Sequence, residues 1–117
     1  MQHPNNIYKV TTGAVFEASR AAGRFLGMPV DHADGYLHFS TADQLRETLR
    51  LYFAGEADLV LFAVASADVS GALRWEPSRG GQLFPHLFGD LPMGLVGNTA
   101  TISVAADGSV TLPEWVK

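Results

Sequence analysis

Cysteine is absent from the 117 residues of this chain. Disulfides, thiolate-bound metal ions and cysteine nucleophiles are therefore excluded. The sequence does contain four histidines and twelve acidic residues. Candidate chemistry must come from these groups, from hydroxyls and from the few basic side chains.

Long hydrophobic runs and basic runs are also missing. No apolar stretch approaches the roughly 20 residues that span a membrane, and the polar start of the chain lacks the apolar core of a signal peptide. The formal net charge is −4 and the eight basic residues are scattered, which disfavours sequence-independent nucleic-acid binding. We therefore expect a cytoplasmic protein that has neither a membrane nor general nucleic acid as its partner.

The chain has the size of a single domain. Its mass is 12.6 kDa, and hydrophobic residues make up 47% of it, which is enough for one packed core. The polar residues 1–6 predict a flexible tail. Residues 7–117 predict a single domain.

Two helices are predicted in the first half of the chain. The first spans residues 14–22 and ends at Gly23. The second begins after Thr41, which forms a capping-box pattern with Gln44, and it presents an apolar stripe. The intervening residues 27–35 are rich in glycine, proline and aspartate, and they predict a loop.

Strands are predicted over most of the remaining sequence. Residues 59–65 form a continuous apolar run, typical of a central strand buried on both faces. An Asp-Gly pair near the end of the chain predicts a hairpin. The other predicted strands are 7–10, 35–40, 73–76 and 83–88, and the two arms of the hairpin are 99–105 and 109–112. Helices followed mostly by strands indicate an α+β domain.

A polar face is predicted where the strand 35–40 meets the second helix. Alternation places Tyr36, His38 and Ser40 on one face, opposite the apolar side chains between them. A histidine there can act as a base or bind a ligand, or it can simply bond a nearby carbonyl. Thr41 is predicted to cap the helix.

Residues 74–81 form a second candidate segment. Arg74 and Glu76 alternate onto one strand face and Trp75 onto the other. Together with Arg79 and the following diglycine, they can grip an anionic ligand that carries a ring. The alternative is an exposed ion pair above a buried tryptophan.

His86 lies in a third segment, among apolar residues that include Phe84. A histidine in such a setting most often packs with its polar atoms satisfied. A metal site shared with His38 would need a third, carboxylate ligand at a spacing that matches no metal motif, so no metal site is predicted. A hydrolase triad of Ser40, His38 and Asp90 lacks the glycine frame of a nucleophile elbow.

The segments together resemble a known family. The chain contains Gly-Tyr-Leu-His-Phe-Ser-Thr at 35–41, Asp-Leu-Val-Leu at 58–61, Arg-Trp-Glu at 74–76 and Leu-Phe-Pro-His-Leu-Phe-Gly at 83–89. With an Ile-Tyr pair near the start, this combination resembles the mostly bacterial, uncharacterised family catalogued as domain of unknown function 952. The resemblance covers about residues 7–96.

The family is in turn remotely similar to the ADP-ribosyltransferase superfamily. That similarity implies a split, mostly antiparallel sheet around a cleft for NAD or an ADP-ribose-like ligand. Residues 38–41 would correspond to the second element of the superfamily and Glu76 to its glutamate. The family's usual first-strand histidine is replaced by Lys9, which can donate a hydrogen bond but cannot accept one as a neutral imidazole does.

The resemblance and the residue patterns together predict one site. The predicted catalytic residues are His38, Glu76 and His86. The predicted ligand-binding residues are Tyr8, Lys9, Tyr36, Ser40, Thr41, Arg74, Trp75, Arg79 and Phe84. The expected partner is a small anionic or nucleotide-type molecule, with NAD as the candidate cofactor and a transferase as the candidate enzyme. The alternatives are a non-catalytic module that binds a metabolite or protein, and a small hydrolase that uses His38 and Ser40.

Overall fold

The computed structural model describes residues 3–117. The helices are α1 (Gly13–Ala22), α2 (Pro29–Asp34) and α3 (Ala42–Tyr52). The strands are β1 (Asn6–Thr12), β2 (Leu37–His38), β3 (Leu59–Ala65), β4 (Leu73–Pro77), β5 (Leu83–Leu87) and β6 (Val96–Ile102). All the pairings between these strands are antiparallel. The predicted α+β class with antiparallel strands is therefore confirmed.

The strands form two sheets of three, in the orders β1-β3-β6 and β2-β5-β4. An isolated bridge joins them where β1 passes the end of β2. Tyr8 N donates to Ser40 O at 2.8 Å, and Ser40 N donates to Tyr8 O at 2.9 Å. This bridge places the segment that follows β2 against the free edge of the first sheet.

Strand β3 is the central strand of its sheet, as its apolar run predicts. Its side chains alternate between two hydrophobic clusters. Phe62 and Val64 pack in one cluster with Ile7, while Leu61 packs in the other with Leu45. Both faces of the strand are thus buried, which explains why every position favours an apolar residue.

The predicted cap of α3 is confirmed, and α1 also begins at a threonine cap. Thr12 Oγ1 accepts a hydrogen bond from Val15 N at 3.2 Å at the start of α1. At the start of α3, Gln44 N donates to Thr41 Oγ1 at 3.3 Å and Thr41 N donates to Gln44 Oε1 at 3.0 Å. The apolar stripe of α3 does not include Tyr52, which is 63% exposed.

The prediction of a loop over residues 27–35 is wrong, because residues 29–34 form α2. Pro29 occupies the first turn, where a missing N–H costs nothing. The Asp31 carboxylate accepts from Met28 N at 2.7 Å, and Gly35 ends the helix with a φ of +84°. Proline, aspartate and glycine are typical of loops and equally of the two ends of a short helix. Residues 3–117 therefore contain three α-helices where two were predicted.

The predicted C-terminal hairpin forms only as a turn. Gly108 N donates to Ala105 O at 2.8 Å, and Ala105 N donates to Ser109 O at 2.9 Å. Residues 103–117 nevertheless contain no strand, because Gly108 packs closely onto Arg50 of α3 and later apolar residues pack on the second hydrophobic cluster. Packing against α3 and the second hydrophobic cluster therefore takes the place of the second strand of the predicted hairpin.

The predicted tail of residues 1–6 includes two residues, Met1 and Gln2, that lie outside the described part of the chain. His3 stacks on Trp75 with ring centroids 4.1 Å apart, and Asn6 already belongs to β1. Among residues 3–117, none of the helices has the length and apolar character needed to cross a bilayer.

Candidate functional site

A cavity of about 520 Å³ lies between the edge of β1, helix α2, the end of α3 and strand β5. Aromatic residues dominate its walls, namely Tyr8, Tyr36, Phe39, Tyr52, Phe53 and Phe84. Its polar lining includes Lys9, Asp34, His38, Ser40, Glu56 and His86. A mostly apolar cavity of this size with a few convergent polar groups is typical of small-molecule sites.

Seven of the twelve predicted site residues line this cavity, and two more lie directly against its walls. The seven are Tyr8, Lys9, Tyr36, His38, Ser40, Phe84 and His86. Glu76 Oε1 contacts Nδ1 of the lining residue His86, and Arg79 Nη2 donates to the lining residue Thr48. Segments distant in the sequence therefore meet at one place.

Three predicted ligand-binding residues lie elsewhere. Thr41 is engaged as the cap of α3. The Arg74 guanidinium lies 5.5 Å from the Phe88 ring centroid, and Trp75 packs between His3 and the first hydrophobic cluster. None of the three lines the cavity.

Asp31 is the buried centre of the polar network beside the cavity. Its side chain is only 2% exposed. Its Oδ1 accepts from Lys9 Nζ at 2.8 Å and from His38 N at 2.9 Å, while its Oδ2 accepts from Met28 N at 2.7 Å. Burial alone would raise the pKa of Asp31, but the hydrogen bond from His38 and the charge and hydrogen bond of Lys9 outweigh it and lower this pKa to about 2. Asp31 is therefore an anion that organises two basic side chains.

Sequence reasoning missed Asp31 as a site residue, although a signal for it exists. A proline followed two residues later by aspartate, with a glycine four residues further on, fits the start and end of a short helix. The third position of such a helix directs its carboxylate back to the chain before the helix. Asp31 does this toward Met28 and uses its other oxygen for the site.

The His38 ring is held between two carboxylates. Its Nδ1 lies 2.8 Å from Asp31 Oδ1, and its Nε2 lies 2.9 Å from Asp34 Oδ2. Ionised carboxylates only accept, so both contacts are hydrogen bonds when both ring nitrogens carry a proton. The geometry therefore fits an imidazolium that ties α2 to β2 and has no free nitrogen to act as a base.

His86, unlike His38, contacts a carboxylate through only one of its ring nitrogens. Its Nδ1 lies 2.8 Å from Glu76 Oε1, which places the proton on Nδ1 and leaves Nε2 as the acceptor. Within residues 3–117 Nε2 has no protein hydrogen-bond partner, and no fully buried side-chain nitrogen or oxygen is left unpaired. Nε2 is therefore accessible from the cavity that His86 lines. An imidazole oriented by a carboxylate in this way is suited to general-base chemistry.

Tyr36 packs against both histidines, whose own ring centroids lie 5.5 Å apart. Its ring centroid lies 4.5 Å from that of His38 and 4.3 Å from that of His86. Partial burial, together with the charges of Asp34 and Glu76, raises the pKa of the Tyr36 hydroxyl. The phenol therefore remains a protonated hydrogen-bond donor at neutral pH.

Ser40 is bonded to a hydroxyl and to no histidine among the described residues. Thr48 Oγ1 donates its one proton to Gln44 O at 3.1 Å, so the 3.0 Å contact between Ser40 Oγ and Thr48 Oγ1 uses the Ser40 proton. Asp90 is exposed in the turn after β5. The Ser40–His38–Asp90 arrangement of the hydrolase alternative is therefore absent from this part of the molecule.

Arg79 places a positive charge at the rim of the cavity. Its Nη2 donates to Thr48 Oγ1 at 3.2 Å. Its guanidinium lies 4.8 Å from the Phe84 ring centroid and 5.9 Å from that of Tyr52. The remaining guanidinium donors can bind an anionic group of a ligand that stacks on these rings. Across residues 3–117 no group of three or more histidine, aspartate or glutamate side chains is arranged to hold a metal ion.

Comparison with solved structures finds a similar protein from Caulobacter crescentus. The crystal structure of protein CC0527 from Caulobacter crescentus, a structural genomics target, is 42% identical in sequence. It superimposes with a TM-score of 0.85 over 91% of this chain and 93% of that chain. The solution NMR structure of the same protein is 43% identical, with a TM-score of 0.79 over 92% of this chain and 91% of the other. None of the curated proteins matches the chain.

The family resemblance deduced from the motifs is confirmed by the matched segment. Residues 10–99 match the sequence model of one family, and this segment includes α2, the histidine-bearing strands and Arg79. The cavity is thus built almost entirely from the part of the chain that the family shares. The chain belongs to the family described as "Protein of unknown function (DUF952)".

Proposed function

We propose that the cavity binds a small nucleotide-type molecule. The observation that carries this proposal is the combination of six aromatic side chains with convergent polar groups in a cavity of about 520 Å³. Nucleotides combine a flat ring, a hydroxylated sugar and an anionic group. Each of these parts has a suitable counterpart in the lining.

The ring and the phosphate would bind at the Arg79 side of the cavity. Tyr52 and Phe84 flank the guanidinium there. Aromatic faces stack on nucleobases with little dependence on which base is present. Arginine binds phosphate through charge-assisted, often paired hydrogen bonds.

The sugar would bind nearer the histidines. The carboxylates of Asp34 and Glu56 both line the cavity, and carboxylates commonly accept hydrogen bonds from ribose hydroxyls. Ser40 has unused acceptor capacity, because its proton is donated to Thr48. Tyr36 is available as a donor. These groups favour a hydroxyl-rich ligand over a purely apolar one.

Catalysis in this proposal centres on His86 and Glu76. Nε2 of His86 would remove a proton from a nucleophile while Glu76 stabilises the resulting imidazolium. With NAD as the ligand, this would support transfer of its ADP-ribosyl group, the reaction class implied by the resemblance. Two antiparallel sheets beside a cleft are compatible with that class.

Arg79→Gln should weaken the binding of ADP-ribose by about 10- to 100-fold. A hydrogen bond to a charged group contributes roughly 1.5–3 kcal/mol, and the variant removes that charge while keeping a polar side chain. Isothermal titration calorimetry measures the affinity directly. Arg74→Gln is the matched control, because Arg74 lies over Phe88 away from the cavity, and it should bind like the original protein. Equal affinity in all three proteins would rule out the phosphate position proposed here.

If the protein is a transferase, NAD should be consumed with release of nicotinamide, and Glu76→Gln should slow this by about 10²- to 10⁴-fold. These factors are typical of losing general acid–base assistance. Proton NMR of the nucleotide follows the reaction over time. Asp90→Asn, which changes an exposed carboxylate in a turn, should leave the rate unchanged. NAD that binds the original protein yet stays intact would support the non-catalytic binding module instead.

A further inference from the structure

Lys9 is a buried amine in the wall of the cavity. The chain has only two lysines, Lys9 and Lys117. Lys9 lies in the middle of β1, opposite Phe62 of β3, and its side chain is 4% exposed. Lysine is almost never buried to this degree unless it is paired.

The amine shares its partner with a second cation. Asp31 Oδ1 accepts from Lys9 Nζ and also contacts His38 Nδ1, both at 2.8 Å. One carboxylate oxygen thus faces two basic groups. Burial lowers the pKa of Lys9, and the attraction of Asp31 offsets this only in part. Desolvation and a neighbouring cation are the two conditions that make a lysine nucleophilic.

An ion pair at this place has no evident advantage for stability. Replacing a buried pair by apolar residues of similar size is often neutral or stabilising. Apart from Asp31 and His38, the residues next to Lys9 in β1 and opposite it in β3 belong to the two hydrophobic clusters. A reactive amine explains a lysine that faces a ligand-sized cavity better than packing does.

We infer that Lys9 is a nucleophile that captures carbonyl compounds, aldehydes or ketones, as a covalent iminium in this cavity. In the reaction Nζ gives up a proton to a water molecule in the cavity while Asp31 stays ionised, and the freed electron pair attacks the carbonyl carbon. The C–N bond forms, the carbonyl oxygen takes up two protons that originate from the ammonium group, and it leaves as water. Ammonium and carbonyl thus become iminium and water, and the positive charge is conserved beside Asp31.

Other cavity residues can assist this step. The Tyr36 hydroxyl and the ring of His86 lie in the same lining as Lys9, and both can exchange protons with the departing oxygen. The aromatic walls limit water, which would otherwise hydrolyse the iminium. The inference does not rest on nucleotide binding, because a carbonyl compound can react with Lys9 without carrying a nucleobase or a phosphate group.

The test is to trap the iminium in the folded, full-length chain. The protein is incubated with glycolaldehyde and sodium cyanoborohydride, which reduces an iminium to a stable amine. Trypsin does not cleave after a modified lysine, so reaction at Lys9 yields a peptide spanning residues 1–20. Mass spectrometry compares its appearance with modification of Lys117, the exposed lysine.

Lys9 should be modified about tenfold faster than Lys117 in the folded protein, because Lys9 is desolvated beside a second basic group and Lys117 is exposed. In concentrated urea the two lysines should react at similar rates, since the selectivity depends on the fold. Lys117→Arg should leave the rate at Lys9 unchanged. Modification of Lys117 and the N-terminal amine alone would overturn the inference and leave Lys9 as a structural ion-pair partner. Calorimetry with ADP-ribose tests the proposed function separately, and neither result of the trapping experiment predicts its outcome.

Discussion

Asp31→Asn should lower the free energy of unfolding by about 3–5 kcal/mol, as expected when one partner of a buried ion pair is removed. The substitution keeps the shape of the side chain but leaves Lys9 with an unpaired charge at 4% exposure. It also puts an amide nitrogen against another donor, because both carboxylate oxygens accept hydrogen bonds. Native domains are stable by only about 5–15 kcal/mol, so this loss is severe.

Urea denaturation followed by circular dichroism measures the effect. Asp34→Asn is the matched control, because it is the other carboxylate that holds His38 and its side chain is 46% exposed. An exposed pair contributes at most about 1 kcal/mol, so this variant should unfold almost like the original protein. Similar stability of the two variants would show that Asp31 is not the centre of the network.

Acid should reduce the difference between the original protein and Asp31→Asn. The pKa of Asp31 is about 2 in the folded state and about 3.9 in an unfolded chain. A lowered pKa stabilises the folded state above pH ~4, and this contribution of about 3 kcal/mol is lost as the pH falls toward ~2. The variant has no such carboxyl group, so the difference in unfolding free energy should shrink over that interval.

Phe62→Ala should be comparably destabilising, by about 3–5 kcal/mol, the range for truncating a buried phenylalanine. Phe62 is 0% exposed. It contacts Phe16, Phe25 and Phe39, with ring centroids 5.3–6.3 Å away. Its loss would leave a void behind Phe39, which forms part of the cavity wall, so the site should loosen as well.

Thermal unfolding and ADP-ribose titration together separate these two consequences. Tyr52→Ala is the control, since Tyr52 lines the cavity but is 63% exposed. Its stability should change by no more than about 0.5 kcal/mol, while its affinity for ADP-ribose should fall. If Phe62→Ala unfolds at nearly the original temperature, the aromatic cluster contributes less to the fold than its burial indicates.

Local signals in the sequence were sufficient for most of the fold. The glycine that ends α1, the capping box at Thr41 and the apolar run of β3 are patterns within a few residues, and each predicts its element correctly. The motifs around His38 and His86 also identified the family. Such patterns predict their elements because the hydrogen bonds of a helix end and the alternation of a strand involve only neighbouring residues.

Errors arose where one local pattern serves two structures. Pro29, Asp31 and Gly35 suit a loop and a short helix alike, and the preference for the helix comes from bonds that Asp31 makes with distant residues. The turn at Gly108 is typical of a hairpin, yet its second arm instead packs on α3. A stretch of a few residues does not show which of its two possible structures the contacts with distant residues will favour.

The amino-acid sequence was enough to predict the class of fold, the family and the polar segments from which a site could be built. The three-dimensional structure was needed to show that Lys9, His38 and His86 meet in one cavity, that Trp75 and Arg74 do not line it, and that both histidines contact carboxylates. The physical reason is that convergence depends on how the two sheets join at Tyr8 and Ser40. That junction is a long-range contact, and it brings Lys9 of β1 beside Asp31 of α2, whereas His86 meets Glu76 within the second sheet.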